Sequence, residues 1–398
     1  NMLLCMNYDS RFSQAEIYEA HGKWGKIYLQ GLERYSHRNP SETTRKTRIA
    51  YVSPDFREHS LAYFIRPVIR CHDRANFEVF VYASVATPDA VTAEIESMSD
   101  QFRNIAGISD ADAARMIYND AVDILVDLAG HTSGHRLLTF GRKPAPVQVT
   151  YLGYPNTTGL QEMDYRVTDS SCDPEGQSEA FHTETLVRMP NGFLCYQAPL
   201  DTPAVVAPPC TGRGYVTFGS FNYTAKIGGE VIEAWANLLK AMPSSRLLLK
   251  YRSFSDADTC DYFLGMFEAR GVEKSRISFM GLTPDKSEHL AAYNDVDIAL
   301  DTFPYNGTTT TCDTLWMGVP VVVLEGDRHA GRVGVSLMKQ LGLDELIADS
   351  PETYVALALA LADDRERLAK YRRELRDRIA NSRLCDPQSF VDDLEKVY

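Results

Sequence analysis

The pattern of apolar residues predicts a helical start followed by two series of alternating strands and helices. Over residues 1–45, apolar side chains between Ile17 and Leu32 recur at spacings of three and four, which predicts helix. Asn39-Pro40-Ser41 predicts a break. From Arg48 onward, short apolar runs alternate with helical stretches, as in a parallel sheet covered by helices. The predicted strands are Ile49–Val52, Val79–Ala83, Ile124–Leu128, Val147–Leu152 and Tyr165–Thr168, with a helix at Ala111–Asn119.

The alternation stops once and then starts again, which predicts a second domain. A stretch rich in proline and glycine, residues 201–214, predicts a linker. Beyond it we predict a helix at Glu230–Met242 and strands at Tyr215–Gly219, Leu247–Lys250, Ile277–Met280, Ile298–Leu300 and Val321–Leu324. The last helix, about Gln388–Tyr398, has one apolar side, and we expect it to pack back on the first domain.

The predicted organisation is therefore an α/β protein with two doubly wound domains facing a cleft. Its parts are a helical segment over 1–45, a domain over 46–200, the linker over 201–214, a domain over 215–385 and the final helix over 386–398. In open sheets of this kind, ligands bind beyond the carboxyl ends of the strands, so the residues that follow each strand are the first place to look for chemistry.

Composition narrows the classes of function. The 398 residues carry 41 Lys and Arg against 54 Asp and Glu, a net charge of −13, so we expect no nucleic-acid partner, whereas a locally positive pocket for a small phosphorylated ligand stays possible. No apolar run is long enough to span a membrane, and no membrane partner is expected. The eight cysteines form no CxxC pair, which favours reduced thiols in a cytoplasmic protein without a zinc or iron–sulfur site.

The segment Asp301–Asp313 carries the strongest chemical signal. It follows a predicted strand and precedes a helix predicted at Cys312–Met317. Free backbone N–H groups and hydroxyls at the positive end of a helix dipole favour a phosphate or diphosphate. A threonine that only caps the helix is the alternative. The residues that would form this anion site are Gly307, Thr308, Thr309, Thr310 and Thr311.

Two further segments of the second domain follow strands. Gly219–Lys226 contains Asn222 and ends in Lys226, whose ammonium could neutralise a leaving diphosphate or could simply be a solvated surface lysine. In Gly281–His289, His289 could stack on a base or ribose with Lys286 nearby. The same segment also has the pattern of a helix N-terminus, with Thr283 as the N-cap and Pro284 at the first helical position.

The first domain offers two histidines and one loop. His59 and His131 each follow a strand, and either could accept a proton or merely hydrogen-bond to a substrate. No GxGxxG, GxxxxGK[ST], GxSxG or HExxH motif is present, and no acidic pair for a metal ends a strand. The loop predicted to line the acceptor side of the cleft comprises Tyr154, Pro155, Asn156, Thr157 and Thr158.

Together these segments resemble the catalytic region of the protein O-GlcNAc transferase family, which includes plant SPINDLY proteins and bacterial homologues. The resemblance rests on SPDFxxHS (53–60), GHT (130–132), the stretch from Lys143 to Leu160, GSFNxxAKI (219–227), DTFPYNGTTTTCDTLWMGVPV (301–321) and GVSLMKQLGL (334–343). It implies a GT-B fold of two Rossmann-like domains and inverting, metal-independent transfer of a sugar to Ser or Thr of proteins. It also implies tetratricopeptide repeats in the full-length protein, to which residues 1–45 would be the connector.

The resemblance also implies roles for single residues. Lys226 matches the lysine that contacts the diphosphate, and Thr309 and Thr310 match the phosphate-binding threonines. Asp313 matches the acid that binds ribose, and His289 matches the histidine that stacks on the base. No cofactor is implied, because the nucleotide sugar is the donor substrate.

The identity of the donor stays open between UDP-GlcNAc and GDP-fucose. This chain departs from animal O-GlcNAc transferases and is similar to SPINDLY at four positions, and plant members of SPINDLY use GDP-fucose. These positions are Tyr223, Ala225, Ala292 and Thr308.

The general base also stays open. His59 matches a histidine that has been proposed for this role, and His131, a phosphate oxygen or a water are the alternatives. Rival functions are another GT-B enzyme, such as a flagellin glycosyltransferase with a different donor or a nucleotide-sugar epimerase, and a non-catalytic module that binds nucleotide sugars.

Overall fold

The computed structural model describes residues 2–37, 39 and 45–398 and divides them into two compact units. Unit 1 runs to Gln197 and includes Asp386–Tyr398, whereas unit 2 is Ala198–Cys385. Pro40 and Ser41, where the sequence predicts a break, lie outside the described residues. No helix in the described ranges is long and apolar enough to cross a membrane.

Unit 1 is built on a seven-stranded parallel sheet. Its strands are β1 Thr47–Ser53, β2 Phe77–Ala83, β3 Gln101–Asn104, β4 Ile124–Asp127, β5 Val147–Thr150, β6 Tyr165–Thr168 and β7 Thr185–Arg188. Their order across the sheet is β3-β2-β1-β4-β5-β6-β7. In the interior strand β1, Tyr51 pairs with Val81 of β2 on one side and with Val126 of β4 on the other. All three residues are buried, since an interior parallel strand is covered on both faces.

Helices cover this sheet. They are α1 Met2–Met6, α2 Gln14–Tyr28, α3 Ala62–Cys71, α4 Ala90–Met98, α5 Asp110–Asn119 and α6 Leu137–Phe140. The helix α2 begins with a capping box, in which Ser13 and Glu16 satisfy each other's backbone N–H groups. The C-terminal helix, Pro387–Val397, buries Phe390, Val391 and Leu394 and contacts α3, so the prediction that it packs back on the first domain is confirmed.

Unit 2 repeats the plan with six parallel strands in the order β10-β9-β8-β11-β12-β13. The strands are β8 Thr217–Ser220, β9 Arg246–Lys250, β10 Ile277–Met280, β11 Ile298–Leu300, β12 Val321–Leu324 and β13 Ile347–Ala348. The helices are α7 Cys210–Arg213, α8 Gly229–Ala241, α9 Ala257–Glu268, α10 Lys286–Ala291, α11 Thr309–Trp316, α12 Val333–Gln340, α13 Pro351–Asp363 and α14 Arg365–Ala380. The short helix α7 lies within the stretch that the sequence marks as a linker.

Two predicted helix starts are wrong. The helix predicted at Cys312 begins at Thr309, because the threonines themselves form its first turn. The helix α10 is capped by Asp285, whose carboxylate accepts the Glu288 N–H at 2.8 Å, and not by Thr283. A carboxylate is at least as good an N-cap as a threonine hydroxyl and also interacts favourably with the helix dipole.

Candidate functional site

The candidate site in unit 2 lies where three neighbouring strands end. The strands β9, β8 and β11 are adjacent and parallel, so the residues that follow them meet at one edge of the sheet. Lys250 ends β9, Asn222 follows β8 and Asp301 follows β11. A recess at this edge is lined by Asn222, Asp301, Thr310 and Thr311.

Asp301 organises the loop that leads into α11. Its carboxylate is 1% exposed, and Oδ1 accepts N–H bonds from Thr302 at 2.8 Å and from Gly307 at 2.7 Å, and one from Asn222 Nδ2 at 3.2 Å. Burial raises the pKa of Asp301 to about 6, against the opposing effect of these donors and of Lys226. Oδ2 has no hydrogen-bond partner among the described residues. The bonds on Oδ1 fold the loop back so that Gly307 meets the start of the helix.

The threonine cluster forms the N-terminus of α11, as the sequence predicts. Thr308 precedes the helix and makes no side-chain capping bond, so its hydroxyl does not cap the first turn. The Thr310 hydroxyl donates to Asn222 Oδ1 at 3.0 Å. That bond joins the segment after β8 to the helix start, and the two predicted segments therefore form one site.

Lys226 reaches the same loop from a turn of 3₁₀ helix, Thr224–Lys226. Its Nζ donates to the Asn306 carbonyl at 2.6 Å and lies 4.1 Å from the centre of the Tyr305 ring. Burial lowers the pKa of Lys226 to about 8, and the Asp301 carboxylate opposes this shift. The residue is half-buried by surface area, so the ammonium is enclosed by the loop while part of the side chain stays accessible. It is therefore a specifically held cation and not a freely solvated lysine.

A second cluster joins α10 to α11. Lys286 Nζ lies 2.5 Å from Asp313 Oδ2, and His289 Nε2 lies 3.7 Å from the same oxygen. On its other side, His289 Nδ1 lies 2.8 Å from Lys250 Nζ. Burial, together with the ammoniums of Lys250 and Lys286, lowers the pKa of His289 to about 3. The structure thus brings together Asp313 and His289, the two residues that the resemblance assigns to the nucleoside, with Lys286, which the sequence places near His289.

In unit 1, His59 lies before a helix but does not begin it, since α3 starts at Ala62. Its side chain is 41% exposed, its Nδ1 accepts the Leu61 N–H at 3.2 Å, and it lies 3.8 Å from Asp55 Oδ2. Desolvation lowers the pKa of His59, while Asp55 acts in the opposite direction. His59 is thus accessible, and largely neutral at pH 7.

His131 is buried. Its Nε2 lies 2.7 Å from the Thr158 carbonyl and therefore donates to it, and Trp24 packs edge-on at 4.7 Å between ring centres. Burial, assisted by the neighbouring His21, lowers the pKa of His131 to about 3. Such a ring is a poor proton acceptor at neutral pH.

The loop predicted to line the acceptor side, Tyr154, Pro155, Asn156, Thr157 and Thr158, is almost wholly internal, and only Asn156 is half-buried. The buried Glu184 accepts the Thr157 hydroxyl at 2.7 Å and the Thr158 N–H at 2.7 Å. The Tyr154 hydroxyl lies 2.7 Å from His21 Nε2 in α2. These side chains hold the loop to the body of unit 1. They could therefore affect acceptor binding only indirectly, by fixing the shape of the loop.

A model of Glycosyl transferase family 41 matches residues 1–198 and 212–394. This chain belongs to glycosyl transferase family 41. The resemblance seen in the sequence is therefore confirmed.

Relatives extend the comparison. A Solanum lycopersicum protein named "Probable UDP-N-acetylglucosamine--peptide N-acetylglucosaminyltransferase SPINDLY" is 43% identical over 403 residues, which cover all of this chain and 43% of that protein. The structure of a Thermobaculum terrenum O-GlcNAc transferase mutant is 38% identical with a TM-score of 0.93, over 99% of this chain and 75% of that one. Anabaena HepE, solved with UDP and glucose, is 10% identical with a TM-score of 0.54 over 88% of this chain and 99% of that one, and shares only the fold. The predicted α/β class with two Rossmann-like domains is confirmed, and this family 41 chain spans less than half the length of its plant relative.

Three residues of the candidate site were not singled out from the sequence. Asp301 and Tyr305 stand inside the threonine motif, but nothing in the motif shows that one organises the loop and the other faces Lys226. Lys250 lies at the end of a predicted strand, and this position was the signal that could have marked it as a site residue. Its contact with His289 could not be seen in the sequence, because the two residues are 39 positions apart. Among the described ranges, no three His, Cys, Asp or Glu side chains are grouped as metal ligands would be.

Proposed function

We propose that this chain is the catalytic region of a protein O-glycosyltransferase, which moves a sugar from a nucleoside diphosphate to a Ser or Thr hydroxyl of an acceptor protein. The observation that carries the proposal is the joining of Lys226, Asn222 and the threonine-headed helix α11 by hydrogen bonds around one loop. The names of relatives, which describe probable peptide N-acetylglucosaminyltransferases, agree with it.

The proposed reaction is one in-line displacement. The acceptor oxygen forms a bond to the anomeric carbon as the bond from that carbon to the diphosphate oxygen breaks, and the configuration inverts. Negative charge then grows on the leaving diphosphate. The Lys226 ammonium, the N–H groups at the start of α11 and the hydroxyls of Thr309 and Thr310 are the groups we assign to stabilise it. No cofactor or metal is part of this proposal.

The nucleoside is assigned to the second cluster, with Asp313 accepting from ribose hydroxyls and His289 facing the base. UDP-GlcNAc and GDP-fucose are the two donors to be tested. His59 is the stronger candidate for the general base of the two histidines, because it is accessible. His131 is buried, and its Nε2 donates to the Thr158 carbonyl. A phosphate oxygen of the donor or a water is the alternative to His59.

The test compares Lys226→Met with the matched variant Lys240→Met, which alters an exposed lysine of α8. Binding of UDP and GDP is measured by calorimetry, and transfer from each labelled donor is measured on a panel of proteins. We expect Lys226→Met to lose roughly 10²–10³-fold in transfer, as the loss of a preorganised charge-stabilising donor does elsewhere, with Lys240→Met unchanged. Undiminished transfer by Lys226→Met would contradict the proposal. Binding without transfer to any acceptor would favour a binding module, and release of an epimerised sugar would favour an epimerase.

A further inference from the structure

Lys250 is a buried ammonium with no carboxylate partner. The residue is 4% exposed, and its Nζ contacts His289 Nδ1 at 2.8 Å and, more weakly, Thr283 Oγ1 at 3.4 Å. In the part of the chain that the structure describes, no carboxylate lies within ion-pair distance of it. Burial and the nearby Lys286 lower the pKa of Lys250 to about 8, so it is charged at neutral pH. A buried charge without a counter-ion is costly and is found most often where it has a function.

The contact with Lys250 determines where His289 carries its proton. A lysine ammonium has only donors, so His289 Nδ1 must be the acceptor of the 2.8 Å bond. A neutral imidazole whose Nδ1 accepts carries its hydrogen on Nε2. That nitrogen lies 3.7 Å from Asp313 Oδ2, the oxygen that also receives Lys286. Lys250 on one side and Asp313 on the other therefore determine which nitrogen of the His289 ring carries the hydrogen.

Packing holds the ring in this orientation. Phe221 and Tyr293 stack on each other with ring centres 4.2 Å apart, and the His289 ring meets both at steep angles, with centres 5.9 and 5.7 Å away. The ionisable groups facing His289 are Lys250 from β9, Lys286 from its own helix, Asp313 from α11 and Tyr293 from the turn after α10. Protonating the ring would place a third cation beside a single carboxylate.

We infer that Lys250 is a positioning residue of the nucleotide site, which keeps His289 neutral with its proton on Nε2. This inference deepens the proposed function and rests on it only for the claim that His289 faces a nucleotide. A neutral ring leaves the Asp313 carboxylate available as an acceptor for a ribose hydroxyl. An imidazolium would compete for that carboxylate, so loss of Lys250 should make nucleotide binding sensitive to acid.

The first measurement does not depend on any nucleotide. Long-range ¹H–¹⁵N spectra of the full chain, assigned with His289→Gln, report the tautomer and the pKa of His289 between pH 4 and 8. We expect the wild type and Lys240→Met to keep an unprotonated Nδ1 throughout this range, and Lys250→Met to raise the pKa of His289 by at least about one unit, because a repelling charge is gone. Lys250→Arg, which keeps the charge, should behave as the wild type. Lys250→Gln keeps a hydrogen-bond donor without the charge, so it should retain the Nε2–H tautomer of His289 while raising the pKa of His289. This variant replaces Lys250→Met if the methionine variant fails to fold.

The second measurement is the affinity for UDP and GDP at pH 7.5 and 4.0. We expect Lys250→Met to lose about twofold more affinity on acidification than the wild type, Lys250→Arg or Lys240→Met, because a His289 pKa that rises by about one unit from about 3 leaves about half of the rings protonated at pH 4. Inorganic pyrophosphate, which has no nucleoside, should show no such difference. A wild-type ring protonated on Nδ1, an unchanged His289 pKa without Lys250, or equal acid sensitivity in all variants would overturn the inference. If neither UDP nor GDP binds, the proposed function fails, whereas the spectra still decide the role of Lys250.

Discussion

Gly307 has no room for a side chain. A Cβ there would lie 2.4 Å from Thr310 Oγ1 and 2.7 Å from Thr311 Oγ1. Both hydroxyls belong to the first turn of α11, and the first of them is held by Asn222. At this residue the close approach of loop and helix depends on the absence of a single carbon atom.

We therefore predict that Gly307→Ala displaces Thr310, breaks its bond to Asn222 and lowers the free energy of unfolding by about 1–3 kcal/mol, as overpacking does. Affinity for UDP and GDP should fall by about tenfold or more as the anion site is distorted. Urea unfolding and calorimetry measure the two effects. Gly265→Ala is the control, since nothing lies within 4 Å of a Cβ at that position in α9 and the change should stabilise the helix slightly. Equal behaviour of the two variants would refute the steric argument.

Lys226 gives the site a pH limit. Because burial lowers its pKa to about 8, the ammonium loses its proton as the pH rises through 8, and an anion then loses a cationic partner. We predict that affinity for UDP falls about tenfold between pH 7 and 9. Lys250, whose pKa is also about 8, adds to the fall. Calorimetry across this range checks the prediction, and an affinity that stays constant to pH 9 would exclude it.

At the scale of elements, α2 is attached to unit 1 through a buried histidine. His21 is fully buried, with Nδ1 2.7 Å from the Ile17 carbonyl and Nε2 2.7 Å from the Tyr154 hydroxyl. Desolvation lowers the pKa of His21 to about 4, below the ordinary value of 6.5. The unfolded chain therefore binds this proton more readily than the folded protein does.

Acid should weaken this attachment. Stability from a histidine with a lowered pKa is present above pH 6.5 and is lost as the pH falls from 6.5 toward 4. We predict that His21 contributes about 2 kcal/mol to the stability lost between pH 7 and 5. In urea titrations at both pH values, His21→Gln should lose correspondingly less stability than the wild type. An identical loss in both proteins would show that His21 does not titrate in this way.

The central strands are also the elements that the sequence predicts best. Their residues are buried on both faces, so each reads as an apolar run. The strands β3, β7 and β13 were missed, because they lie at sheet edges and are at most four residues long, and β3 is in addition largely polar. The starts of α10 and α11 were misplaced because several residues in each segment can cap a helix, and the packed structure decides among them.

At the scale of the whole molecule, a chain with a net charge of −13 carries three lysines around the candidate site of unit 2, Lys226, Lys250 and Lys286. Two carboxylates, Asp301 and Asp313, lie among them. The local charge is thus opposite in sign to the overall charge, which suits a small anion and disfavours a long polyanion.

In the proposed mechanism, these cations and the start of α11 stabilise the negative charge of the leaving diphosphate. We therefore predict that removal of metal ions has no effect on nucleotide binding or sugar transfer. Exhaustive treatment with a chelator should leave nucleotide affinity and sugar transfer unchanged, while Lys226→Met lowers transfer by roughly 10²–10³-fold in the same assay. A transfer rate that falls on chelation and returns with added Mg²⁺ or Mn²⁺ would contradict metal-independent catalysis.

The sequence by itself determined the α/β class, the two domains and the position of the threonine motif, because buried strands and helix starts leave local patterns along the chain. Only the tertiary structure decided that Asp301 ties the loop to Asn222, that Lys250 meets His289, and that the loop after β5 is turned into the interior of unit 1. Those contacts join residues 79, 39 and 26 positions apart. Their physical cause is burial, which forces each polar group to find a partner from whichever strand end or helix lies nearest in space.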